Sequence, residues 1–138
     1  MNDSRMQRGQ KWLEELLLLT KTPAKVEVEK HATLSLAEHE DEPEPDSYWL
    51  TIDETNLTPP QIQALIGVDG SALDAIQYLA NTTVNLGQPP EEQASYTVEL
   101  AGYRVRRQAE LLEMAQYAAE QVRLTGREFE LKSLSAAE

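Results

Sequence analysis

Apolar residues recur along the chain with two periods, and the switches between them outline its elements. From Arg5 to Leu19, Met6, Trp12, Leu13, Leu16, Leu17 and Leu19 fall at helical intervals, and Asp3 or Ser4 is placed to cap the start. Thr20 to Pro23 breaks that helix. Val26 and Val28, and less regularly Ala32, Leu34 and Leu36, then alternate with polar residues as a half-buried strand does. The run EHEDEPEP at 38–45 reads as a solvated acidic turn, and YWLTID at 48–53 as a second strand that pairs with the first. Thr58 suits an N-cap and Pro59 a first helical position, ahead of the short apolar face of Ile62, Leu65 and Ile66 that Gly67 stops. A second helix starts at Gly70 or Ser71 and carries Leu73, Ile76, Leu79, Ala80 and Val84 on one stripe.

After a proline-containing loop at 87–92, YTVEL at 96–100 has the alternation and β-branched content of a third strand. The spacing then predicts a long helix over Tyr103 to Thr125, with Val105, Ala109, Leu112, Ala115, Ala119 and Val122 on one face and Gly126 as its stop. Phe129, Leu131 and Ser133 predict a final short strand. The pattern is that of an α+β protein in the order helix, strand, strand, helix, Gly-x-x-Gly, helix, strand, followed by a long helix and a strand fragment.

Composition narrows the class. At 138 residues and 41% apolar, the chain fits one compact domain or one domain plus part of a second. It has no cysteine, which removes disulfides, thiolate catalysis and thiolate metal sites, and is usual for a cytosolic protein. The longest apolar run, Leu16 to Leu19, is far below the roughly 18 to 20 residues of a membrane span. No signal-peptide pattern opens the chain, so a cytoplasmic location without a membrane span is expected.

Charge is uneven. The net charge is −12, and residues 31–103 hold thirteen acids and no lysine or arginine. Such a balance works against tight non-specific binding to a phosphate backbone.

The central motif is Ile66-Gly67-Val68-Asp69-Gly70, set between two short amphipathic helices with strands on either side. Taken alone, two glycines three apart describe a tight helix–helix turn needing positive φ. In this context the same turn lets a nucleic-acid backbone approach closely, while the next helix turns free N–H groups and the positive end of its dipole toward a phosphate. This is how KH domains hold single strands, and the element order here matches the type II arrangement.

The segment from Leu65 to Asn81, LIGVDGSALDAIQYLAN, followed by VELAGYRVRR at 98–107, resembles the KH domain of the bacterial Jag family, also called KhpB. There an LIGxxGxxLDALQYLxN segment precedes a strand ending in Asp-x-x-x-Tyr-Arg-x-x-Arg, and here Glu99 stands in the Asp place before Tyr103, Arg104 and Arg107. The likeness covers about residues 8–135. It implies a type II KH domain at 1–102, with its N-terminal helix included. Residues 103–138 would be the incomplete beginning of an Arg-x-x-x-His domain, whose signature motif this chain does not contain.

The resemblance further implies a non-enzymatic, cofactor-free RNA-binding protein, a post-transcriptional regulator or RNA chaperone, that holds single-stranded RNA and in this family can partner a small KH-domain protein. The RNA-binding residues it points to are Ile66, Gly67, Val68, Asp69, Gly70 and Ser71, with Arg104 and Arg107. Family loops often carry bases where this chain has Val68 and Asp69. A phosphate about 6 Å from Asp69 is repelled by roughly 0.7 kcal/mol in water, while an exposed helix terminus attracts it by on the order of 0.3 to 1 kcal/mol. Weak binding, about micromolar or poorer, is therefore expected.

Other features have competing readings. Arg104, Arg106 and Arg107 could meet phosphates or pair with acids such as Glu110 and Glu113. Tyr48, Trp49 and Tyr96 could stack bases or pack the core, and alternation lets only one of Tyr48 and Trp49 face the helices. Trp12 is expected to anchor the core. His31 and His39 do not form a recognised metal pattern, and Ser71 suits a helix cap better than a nucleophile. The alternative to RNA binding is a protein-interaction scaffold with a KH-like fold. A homodimer paired through an exposed strand edge at 127–134 is also expected.

Overall fold

The computed structural model describes residues 3–31 and 46–126, and the chain divides into two compact units, Met1–Ala101 and Gly102–Glu138. In the first unit, helix α1 (Ser4–Leu19) is capped by Asp3, whose side chain accepts the Arg5 N–H. It is followed by β1 (Val26–His31), β2 (Ser47–Ile52), α2 (Pro59–Ile66), α3 (Ser71–Thr83) and β3 (Ser95–Leu100). Short 3-10 turns cover Val68–Gly70 and Pro90–Glu92. The second unit contains α4 (Tyr103–Thr125). The continuation of the first strand through Leu36, the acidic turn at 38–45 and the final strand with its edge at 127–134 lie outside the described residues.

The sheet order is β1-β2-β3. β1 and β2 are antiparallel, with Val28 opposite Leu50, whereas β2 and β3 are parallel, with Leu50 opposite Val98. The parallel pair requires a crossover, and α2, the glycine turn and α3 supply it. Because side chains alternate across a strand, Tyr48, Leu50 and Ile52 share a face with Val26 and with Tyr96, Val98 and Leu100, and all seven are buried. Leu13 and Leu17 of α1, Leu65 of α2 and Leu73 and Ala80 of α3 complete this core.

The residue that lets α1 lie on the sheet is Gly9, not Trp12. A methyl group at Gly9 would stand 2.6 Å from Cε1 of Tyr96 and 3.4 Å from Leu50, while Trp12 is only half-buried. Trp12 is therefore not the expected core anchor, since the helix touches the sheet along Gly9, Leu13 and Leu17.

A polar cluster fastens the start of α1. Arg5 pairs with both Asp3 and Asp46 at 2.9 Å, and Lys30 reaches Asp46 at 3.4 Å. The buried Tyr48 hydroxyl donates to Asp3, and the Tyr96 hydroxyl donates to the carbonyl of Arg5 at 2.8 Å. The Arg5 guanidinium holds the Asp3 carboxyl far below the usual carboxylate range, with the Tyr48 hydroxyl adding to it, and burial pushes the Tyr48 hydroxyl well up.

The outer edge of β3 is closed by side chains. Asn81 donates to the Tyr96 carbonyl at 2.8 Å and accepts the Tyr96 N–H at 2.7 Å, as a neighbouring strand would. Gln77 accepts the Val98 N–H at 3.0 Å, and Asn85 exchanges two bonds with Ala94. These three amides stand at i, i+4 and i+8 along α3 and the turn that follows it, so together they substitute for a fourth strand.

Helix α4 departs from expectation. None of its residues is buried, and the face of Val105, Ala109, Leu112, Ala115, Ala119 and Val122 is the exposed one; the half-covered positions are Tyr103, Arg104, Arg107, Leu111, Met114, Ala118 and Gln121. Among the described residues no helix is long and apolar enough to cross a membrane.

Candidate nucleic-acid interface

The glycine turn is built from both sides by local sequence. Thr58 caps α2 by accepting the Gln61 N–H, and the Gln61 side chain returns the bond to the Thr58 N–H at 2.8 Å. Pro59 occupies a first-turn position where its missing N–H costs nothing. The helix ends where Gly67 takes φ 76°, ψ 178°, and its N–H bonds back to the Gln63 carbonyl at 2.8 Å. Asp69 is left-handed at φ 53°, ψ 30°, and Gly70, at φ 79°, ψ 11°, is the N-cap of α3 without a side-chain cap bond.

Gly67 is required for a reason independent of any ligand. A Cβ there would stand 2.6 Å from the Ala72 backbone nitrogen, 2.8 Å from the Ala72 side chain and 2.9 Å from Ser71 Oγ. The close seam between the end of α2 and the start of α3 therefore excludes every other residue. Ser71, expected as a cap, is the first residue of α3, and its N–H bonds the Val68 carbonyl.

The turn pushes its middle outward. Val68 is 81% exposed, Asp69 and Ser71 are exposed, Ile66 is half-buried and Gly70 is buried. Beside the turn runs an open depression of about 510 Å³ lined by Gln63, Ala64, Ile66, Gly67 and Val68. Gln63 and Ala64 were not singled out from the sequence. Their position three and four residues before Gly67, on the last turn of α2, is the signal that places them there.

Ile66, Gly67, Val68, Asp69 and Ser71 thus lie together at the surface, with Gly70 buried between them. Arg104 and Arg107 belong to the other unit, where Arg107 pairs with Glu110 at 3.1 Å, one of the acids named as its alternative partner. In the first unit, Arg5 and Lys30 are engaged by Asp3 and Asp46, and Arg8 is held by Glu92 at 3.4 Å and by the Glu92 carbonyl at 2.7 Å.

The aromatic candidates separate cleanly. Tyr48 and Tyr96 are fully buried with ring centroids 6.0 Å apart, so neither offers a face to a base. Trp49 lies half-buried on the opposite sheet face, with His31 stacked on it at 4.9 Å and 15°. Glu99, in the Asp place of the resemblance, is buried and accepts the Leu100 N–H at 2.9 Å. Among the described residues no group of three His, Cys, Asp or Glu could hold a metal ion.

Compared with models of known protein families and with curated proteins, the chain matches none.

Proposed function

We propose that this chain is a single-stranded RNA-binding module of the type II KH kind, related to the Jag family, and that the turn from Gly67 to Gly70 is its contact point. The observation that carries the reading is the turn itself: two glycines flank an exposed dipeptide, between helices that cross from β2 to a parallel β3 and beside an open depression. The order of elements, helix, strand, strand, helix, turn, helix, strand, supports this reading.

In this reading the RNA backbone lies against Gly67, where no side chain holds it off, while the buried Gly70 turns the chain into α3. The exposed Ser71 hydroxyl and the positive end of α3 face the phosphate, and Ile66 and Val68 give apolar contact to sugar and base. Asp69 opposes the phosphate at the same point, which keeps affinity low and suppresses adhesion to nucleic acid in general. The module is non-enzymatic.

Asp69 also provides the test. Replacing it with Asn removes one repulsion of roughly 0.7 kcal/mol and should tighten RNA binding about threefold; Asp69→Lys reverses the charge and should tighten it about tenfold. Asn also tolerates the left-handed backbone of this position. Both are read by fluorescence anisotropy with a labelled single-stranded RNA pool at low salt. Affinity unchanged in both variants overturns the reading. Gly67→Asp is not a useful variant, because the Ala72 backbone occupies the space its side chain needs.

A further inference from the structure

The two edges of the sheet are finished differently. On the β3 side the outward backbone groups are taken up by Gln77, Asn81 and Asn85. On the β1 side the Asp53 N–H donates to the Lys25 carbonyl at 2.8 Å, directly across the ladder. Residues 25, 27, 29 and 31 therefore turn their backbone groups toward β2, and Val26, Val28 and Lys30 turn theirs outward. Val26 is closed off by α1: Gln10 donates to its carbonyl at 2.8 Å, and its N–H donates to Glu14 at 3.4 Å. Among the described residues nothing bonds the outward groups of Val28 and Lys30. An edge lysine can shield such groups, but the Lys30 ammonium is drawn to Asp46 at 3.4 Å.

We infer that the edge of β1 at Val28 and Lys30 takes up an extended segment of another protein as an added strand, and that this segment carries an apolar residue between two basic ones. Its backbone meets two donors and two acceptors already held in strand geometry. Alternation then sets the sequence that fits. The residue paired with Val28 falls on the core face, where Val28 itself is half-buried. There an open depression of about 510 Å³, lined by Gln7, Gln10, Lys11, Glu14, Leu18 and Pro23, shares Gln10 and Glu14 with the Val26 cap. The two flanking residues fall on the other face, opposite Glu27 and Glu29, which are both exposed and of one sign, so lysine or arginine is favoured at each. The same two acids turn away a second copy of this chain. A two-fold centred on Val28 sets Glu27 of each copy opposite Glu29 of the other, and one centred on Glu29 sets that residue against itself.

The probe is a fluorescein-labelled peptide with blocked ends, Ser-Thr-Lys-Val-Lys-Thr-Ser, titrated into the full chain at about 50 mM salt. Saturable binding with a dissociation constant below about 1 mM is expected. The same peptide with glutamates for its lysines, or with its valine N-methylated, should bind at least about fivefold more weakly. The double variant Glu27→Lys, Glu29→Lys should reverse the preference and choose the glutamate peptide. Val28→Pro, whose lost N–H takes no part in the ladder with β2, should keep its circular dichroism and lose the lysine peptide. In amide spectra the Val28 and Lys30 signals should move on addition of peptide, and those of Val68 and Asp69 should stay. Equal binding of the lysine, glutamate and N-methylated peptides, or none at up to about 2 mM, would overturn the inference. Dimer mass in light scattering that Val28→Pro reduces to monomer would assign the edge to a second copy, and would overturn it as well.

Discussion

Asn81→Leu isolates the device that closes the sheet. Leucine is close to asparagine in size and is a better helix former, so the substitution leaves α3 its propensity and removes only the amide. What is lost are two short bonds, Asn81 to the Tyr96 carbonyl at 2.8 Å and the Tyr96 N–H to Asn81 at 2.7 Å. The Tyr96 backbone then keeps an unpaired donor and an unpaired acceptor in a partly buried place. At about 1 to 3 kcal/mol for each group, less the gain from burying leucine, the expected loss is about 2 to 4 kcal/mol.

With a urea slope of about 2 kcal/mol per molar, that lowers the unfolding midpoint by about 1 to 2 M. Urea titration followed by tryptophan fluorescence suits the measurement, because Trp12 and Trp49 both lie in the first unit. Amide exchange adds a local readout: the Tyr96 N–H should exchange much faster in the variant, whereas the Val98 N–H, held by Gln77, should change only with global stability. A loss below about 0.5 kcal/mol, or a Tyr96 amide as protected as before, would refute the view that α3 serves as a fourth strand. Tyr78→Ala, on the exposed side of the same helix at 71%, is the control and should stay within about 0.5 kcal/mol.

Gly9→Ala gains up to about 1 kcal/mol of helix propensity but drives a methyl into the ring of Tyr96, which is buried and tethered to Arg5. A net loss of about 1 to 2 kcal/mol is expected, and a rise in melting temperature would contradict the close approach of α1 to the sheet. The depressed Asp3 carboxyl contributes stability that is complete above its unfolded pKa, about 3.9, and drains away as pH falls below that toward its much lower folded value. Asp3→Asn should therefore be less stable than the unmodified chain at pH 7 and lose less on going from pH 5 to pH 2. Urea midpoints at several pH values check this, and parallel curves for the two proteins would speak against it. Gly67→Ala should destabilise the first unit by more than about 2 kcal/mol, since both its φ of 76° and the Ala72 nitrogen stand against a side chain; a stable variant would show that the seam can open.

What the sequence determined by itself is what local physics decides. The period of apolar residues placed α1, β2, α2, β3 and α4 within a residue or two. Thr58, Pro59 and Gly67 marked the two ends of α2 because capping and positive φ depend only on neighbours in the chain. The candidate turn was legible for the same reason, down to which dipeptide forms its tip.

The tertiary structure decided which face of each element is used. Leu13 and Leu17 are fully buried where Gly9 brings α1 close to Tyr96 and Leu50, while Trp12 stays half-buried. Gln77, Asn81 and Asn85 carry no signal of their role in the sequence, yet they are spent on the β3 segment, since only the parallel crossover sets them beside an open strand edge. On α4 two stripes lie one residue apart, one apolar throughout its centre and one mixed with Arg104 and Arg107, and periodicity fits both. Which one is exposed depends on contacts distant in sequence, and a helical period carries no information about those.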